Sequence, residues 1–245
     1  MQLAQMIVLT MFSLARYVRN QPGDPKEKPP WDPTSTFAQC AEKMSTWKQT
    51  LLPQFQLIPD TIYIRQSQDQ LSPLIMLHVW FEQCMSDLYR IVMPGFPETL
   101  PASMLSNAPA GWVQQHQSAC VSHASNIASL FERVGSLVDM QNFVFLDTSL
   151  PMCVFESMCV RLQGLFMLPQ ESLEQRKEDC KSSFKILIGY IERMSRYFRQ
   201  AQWLVRLYNS RAQKNADNRL QLREMQKLLH RHNITIPGLA DMKLK

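Results

Sequence analysis

Apolar residues recur at three- and four-residue spacing along most of the chain, the period of helices that turn one face inward. The densest case runs from Leu71 to Phe96. Leu71, Leu74, Ile75, Leu77, His78, Phe81, Cys84, Met85 and Leu88 form a stripe there, and Val79, Trp80, Ile91 and Val92 widen it beyond one face. The pattern predicts a core helix with neighbours on several sides. Its start is expected near Ser67 or Asp69, with Asp69 as the cap, and its end before Pro94-Gly95. Pro73 fits the first turn, where a missing N–H has no intrahelical partner to lose.

The same reading places a first helix over about Leu3–Arg19, stopped by Asn20-Gln-Pro-Gly-Asp-Pro25, and a flexible linker over about 20–35. Ser35 or Thr36 can cap the next helix, whose stripe Phe37, Cys40, Ala41, Met44, Trp47, Lys48 and Leu51 makes Trp47 an anchor. Phe55 to Tyr63 alternates weakly around Pro59 and is expected to be an extended connector. Pro97, Pro101 and Pro109 mark a loop with at most a short helical turn. Further helices are predicted over about Trp112–Val138, Pro151–Leu168, Glu174–Tyr208 and Asn215–His232, the last amphipathic and exposed through Leu220–Leu229. Helix following helix through short loops gives an all-α multi-helix bundle, one domain over residues 1–245.

Composition agrees with that class: 45% hydrophobic residues and only 7 glycines leave few of the turns an all-β fold needs. A chain of 245 residues can bury one sizeable core. Residues 1–15 lack the basic start of a signal peptide and carry Gln2 and Gln5, and no segment reaches 18 uninterrupted apolar residues, so no membrane span is expected. Net charge is +5, with 16 Lys/Arg against 6 Asp/Glu in residues 176–245 and 10 against 15 before them. The basic charges are spread at helical spacing, which favours a solvated helix face over a nucleic-acid reader.

Cys40, Cys84, Cys120, Cys153, Cys159 and Cys180 contain no Cys-x2-Cys pair, so no zinc site is expected in this chain, and their apolar contexts fit buried thiols of a reducing compartment. His116 and His123 lie two helical turns apart, and neither they nor His230 and His232 have a carboxylate at a ligand offset. His78, Glu82 and Asp87 share one helix and could be imagined as an acid–base set, but the plainer reading makes His78 a hydrogen-bonded core residue and Asp87, Tyr89 and Arg90 polar contacts to neighbouring helices. No nucleophile elbow, phosphate loop or paired-histidine metal motif is present, so no catalytic, cofactor or metal residue is assigned. Fifteen methionines could line an adaptable cavity for an apolar ligand, with core filling as the default.

One set of motifs adds a functional expectation. Trp47-x3-Leu51-Leu52-Pro53, Tyr63-Ile-Arg-Gln-Ser-Gln-Asp-Gln-Leu71, His78-x-Trp80-Phe-x-Gln-Cys84-x2-Asp87-Leu-Tyr-Arg-Ile91 and Pro94-Gly-Phe96 occur in that order. Together they resemble the middle homology region of fungal binuclear-zinc-cluster transcription factors, and the similarity continues more loosely through Cys120–Phe131 and Phe143–Phe155. The resemblance implies an all-helical regulatory domain that follows an N-terminal six-cysteine DNA-binding cluster and controls transcription in the nucleus. This chain lacks that cluster, its basic linker and its dimerisation coil, so zinc and DNA contact are expected only through an upstream region. The chain is accordingly expected to be a fragment or a truncated gene product.

Expected partners are the transcriptional machinery or co-regulator proteins, a small-molecule inducer, and a second copy in the full-length protein. A helical small-molecule-binding protein or an interaction scaffold is the alternative. Trp47, His78, Trp80, Asp87, Tyr89 and Arg90 are the candidate structural or regulatory positions.

Overall fold

A computed structural model of the chain describes residues 28–96, 98–139, 143, 145, 147–167, 173–199, 201, 202 and 204–206. The expected helices over 3–19 and 215–232 lie outside the described residues. The described residues hold helices joined by turns and loops, and no strand: α1 (Thr36–Gln49), α2 (Pro59–Ser67), α3 (Leu71–Tyr89), α4 (Ala102–Leu105), α5 (Trp112–Gly135), α6 (Leu150–Met167) and α7 (Leu173–Met194). Short 3-10 turns lie at Pro53–Phe55 and Arg90–Val92. The all-α class read from the spacing holds.

The helix α3 sits centrally, touching α1, α2, α5 and α6, while α5 and α6 both pack on α7. Its buried side chains include Leu71, Leu74, Ile75, Val79, Phe81, Met85 and Leu88, so the wide apolar stripe is used on several sides. Ser35 caps α1: its Oγ accepts from the Ala38 amide at 3.1 Å and donates to the Pro30 carbonyl at 3.1 Å. Residues 28–35 are turns rather than a loose linker. Asp32 and Ser35 amides bond the carbonyls of Pro29 and Asp32, and Trp31 meets Trp112 edge-on at 5.5 Å.

Three expectations are corrected. The segment 55–63 is no extended connector, because Pro53 opens a 3-10 turn and Pro59 opens α2, positions where proline's fixed φ and missing N–H suit a helix start. Asp69 does not cap α3. It ends α2 in the left-handed region (φ 56°), with its own amide on the Gln66 carbonyl at 3.2 Å and the Gln70 amide on the Arg65 carbonyl at 2.8 Å, a Schellman closure. The single helix expected over 174–208 stops at Met194 and the chain is helical again at 199, 201, 202 and 204–206, while the apolar seam continues through Ala201 and Leu204 in the same buried cluster as Met194. The Ser195 hydroxyl takes the Glu192 carbonyl at 2.7 Å and the Tyr197 amide takes the Met194 carbonyl at 2.9 Å, so the last carbonyls of α7 are satisfied locally and the helix stops.

The approach of α5 to α6 depends on Gly164, where an added Cβ would lie 2.5 Å from Val121 Cγ2 and 3.1 Å from Cγ1. Val121 is β-branched and held in a helix, so it cannot swing aside. Gly164→Ala is therefore expected to destabilise by about 1 kcal/mol or more, crowding outweighing the gain in helix propensity. Gly189 on α7 has open space where a Cβ would go, so Gly189→Ala is expected to stabilise by about 0.5–1 kcal/mol. Urea denaturation of the two variants checks the opposite signs; equal effects would contradict this reading of the α5–α6 contact.

Candidate functional site

Four of the buried polar side chains, His78, Glu82, Gln83 and Ser86, stand on α3. Burial removes their water, so each needs a partner on a neighbouring element. His78 Nε2 lies 2.8 Å from the Phe55 carbonyl and Nδ1 lies 3.2 Å from Lys48 Nζ. A carbonyl only accepts and an ammonium only donates, so the ring is neutral with its proton on Nε2. Burial, then the Lys48 charge, pushes His78 down to about 4.

The His78 imidazole is harder to protonate in the folded chain than in the unfolded one. Its folded value lies below the unfolded value near 6.5, so its stability contribution is present above about pH 6.5 and is lost as pH falls toward 4. The loss is on the order of 2 kcal/mol between pH 7 and 4.5. His78→Gln is expected to flatten this acid limb relative to the parent in urea denaturation; parallel pH profiles would contradict it.

Toward α5, Glu82 Oε2 accepts from His123 at 2.7 Å and from Asn126 at 3.0 Å. Ser86 Oγ lies 3.5 Å from the Cys120 carbonyl, and Cys120 Sγ donates back to the Ser86 carbonyl at 3.3 Å. Toward α6, the Trp80 indole N–H donates to Ser149 Oγ at 2.8 Å, and that hydroxyl donates to Asp147 at 2.6 Å, just before α6 begins.

The densest polar group lies where α3, the 93–101 loop and α6 meet. Arg90 reaches Asp87 at 3.1 Å and Glu156 at 3.5 Å through Nη1, and Glu98 at 2.9 Å through Nη2. Gln83 Nε2 donates to Asp87 at 2.9 Å and also contacts Glu156. The guanidinium lies 5.3 Å from the Phe96 ring centre. Burial opposes the Arg90 charge, but Asp87, Glu156 and Glu98 outweigh it and hold its pKa above the ordinary value. Burial pushes Asp87 up to about 7, with Arg90 opposing and Glu156 adding to the rise. Asp87 keeps 26% of its side-chain exposure, so solvent screens part of this effect.

Of the candidate positions, Asp87 and Arg90 therefore touch. The others stand on different sides of α3. Trp47 is buried and stacks on Phe81 at 5.1 Å and 29°. Tyr89 faces Phe37, His116 and His123, with ring centres 5.2–6.0 Å away, and burial raises its phenol. Sequence reasoning missed Glu98, Glu156 and the Glu82–His123–Asn126 set. A carboxylate at position 82, inside an apolar stripe, was the available signal for a buried partner. Glu156 lies 66 positions from Arg90 and gave none.

All six cysteines are buried and none forms a disulfide; burial pushes Cys84 and Cys120 up to about 12 and raises Cys40, Cys153 and Cys180, so these five thiols stay protonated at neutral pH. Among the described residues no group of three or more His, Cys, Asp or Glu is placed to hold a metal, and no helix is long and apolar enough to cross a membrane. No family model matches the chain, no curated protein matches its sequence, and no solved structure matches its fold.

Proposed function

We propose that this chain is the helical regulatory domain of a fungal binuclear-zinc-cluster transcription factor, acting in the nucleus through an inducer- or partner-dependent change of conformation. The supporting observation is the packing of the motif-bearing stretch 47–96. Trp47 stacks on Phe81, His78 bonds the Phe55 carbonyl, and Arg90 lies against Phe96, so the residues that carry the family resemblance are those that bind this stretch together. The central helix α3 is tied by separate polar contacts to α1, α5 and α6, and the 3-10 turn that follows it is tied to Glu98. A shift of that helix must break or exchange several ties at once, which favours two discrete arrangements over gradual deformation.

An inducer or co-regulator protein that binds one arrangement better shifts the population by its differential affinity, and the shift sets transcriptional output. The chain performs no catalysis in this reading. Zinc and DNA contact belong to an upstream six-cysteine cluster, which the dispersed, buried cysteines of this chain do not supply. Sequencing full-length transcripts through the region upstream of Met1 tests the family assignment. An in-frame six-cysteine cluster is the expected result; complete transcripts without one would overturn it.

A further inference from the structure

Two carboxylate oxygens from different helices face the same pair of donors. Gln83 Nε2 contacts both Asp87 Oδ1 on α3 and Glu156 Oε2 on α6. Arg90 Nη1 lies 3.1 Å from the first and 3.5 Å from the second, and its other terminal nitrogen is taken by Glu98 at 2.9 Å. The charged and titratable groups facing Asp87 among the described residues are Arg90, Glu156 and Glu98, with the thiols of Cys84 on α3, Cys120 on α5 and Cys153 on α6. Three carboxylates thus answer one guanidinium. Gln83 Oε1, Arg90 Nε and Glu98 Oε2 are buried without a partner, so this group lacks the hydrogen bonds that would offset further charge.

We infer that Asp87, set beside Glu156 on the same two donors, is a proton-binding site, and that its bound proton fastens α6 to α3. With the proton bound, one carboxylic acid and one carboxylate share Gln83 and Arg90. Without it, two carboxylates repel one another while competing for the same donors, and the tie between the helices weakens. The rise of Asp87 toward neutrality agrees with this geometry. An acid whose folded value is raised contributes stability that is full at low pH and lost as pH rises through the folded value.

Urea denaturation of the full chain and its Asp87→Asn variant at pH 6 and pH 8 tests the site. The parent-to-variant ratio of unfolding constants is expected to rise about tenfold from pH 6 to pH 8, with the histidine contributions cancelling in the ratio. A ratio that stays constant overturns the proposal. If Asp87→Asn does not fold, Glu156→Gln serves in the same comparison, at a carboxylate with 32% side-chain exposure. Carboxyl carbon NMR of the parent gives a second reading: one Asp or Glu carboxyl titrating near neutrality supports the site, and all of them titrating below about pH 5.5 overturns it. The site is a property of the fold, so its failure leaves the transcriptional reading untouched.

Discussion

Arg90→Ala is expected to cost about 3–5 kcal/mol of folding stability, the range for removing one partner of a buried ion pair. The side chain is 12% exposed and is the cation shared by Asp87, Glu98 and Glu156. Its loss leaves three carboxylates facing one another, and Phe96 loses the guanidinium against its ring. Two controls separate charge from shape. Arg90→Met keeps much of the stem but no charge, and should cost nearly as much as alanine. Arg90→Lys restores a point charge without the planar fork that serves Asp87 and Glu156 on one side and Glu98 on the other, and should fall between. The alanine penalty should also be smaller at pH 5 than at pH 8, because orphaned carboxylates escape repulsion by taking up protons. Urea denaturation at both pH values checks this; a loss below 1 kcal/mol, or one independent of pH, would remove Arg90 from its central place.

Trp47→Ala is expected to cost a similar 3–5 kcal/mol for a different reason. Trp47 is 2% exposed and packs among Met44, Leu51, Phe81, Cys84 and Met85 between α1 and α3. Alanine leaves a void the size of an indole. Its Nε1 is buried with no hydrogen-bond partner, so the ring contributes by packing and carries an unpaired donor as a cost. Trp47→Phe keeps a ring against Phe81 and removes that donor, and should therefore cost far less than alanine. Against a net stability of about 5–15 kcal/mol for a typical domain, the alanine loss is large enough to lower the midpoint markedly. Equal penalties for phenylalanine and alanine would contradict the packing account.

These two residues also mark what the sequence could and could not reveal. Trp47 was legible because its helical stripe, with Phe37, Cys40 and Met44, gave both its element and its inward face. The helix α3 was legible for the same reason, since a stripe wider than one face requires neighbours all round. Arg90 could be singled out from its place at the end of that helix, but two of its partners lie outside the helix. Glu98 comes from a loop and Glu156 from α6, and helical periodicity within one segment says nothing about which distant carboxylate a cation will meet. His123 illustrates the same limit. Its chain neighbours gave no ligand spacing, yet packing of α5 on α3 brings it to Glu82.

Local turn chemistry accounts for the remaining differences. Asp69 has the residue type of a helix cap, but the Schellman bonds of α2 claim its backbone first. Pro59 looks like a helix breaker inside an apolar run and instead starts a helix, because proline is disfavoured within a helix and suited to its first position. Ser195 ends α7 through a bond to a carbonyl three residues back, a choice that apolar periodicity does not register.

The most direct test of the regulatory reading fuses the chain to a DNA-binding module of known target site and measures transcription of a reporter carrying that site. The chain is expected to change reporter output relative to the module alone, and a folded Trp80→Ala variant, which loses the tie from α3 to Ser149, is expected to alter that change. Output equal to that of the module alone, from a fusion shown to be folded and nuclear, would contradict the account.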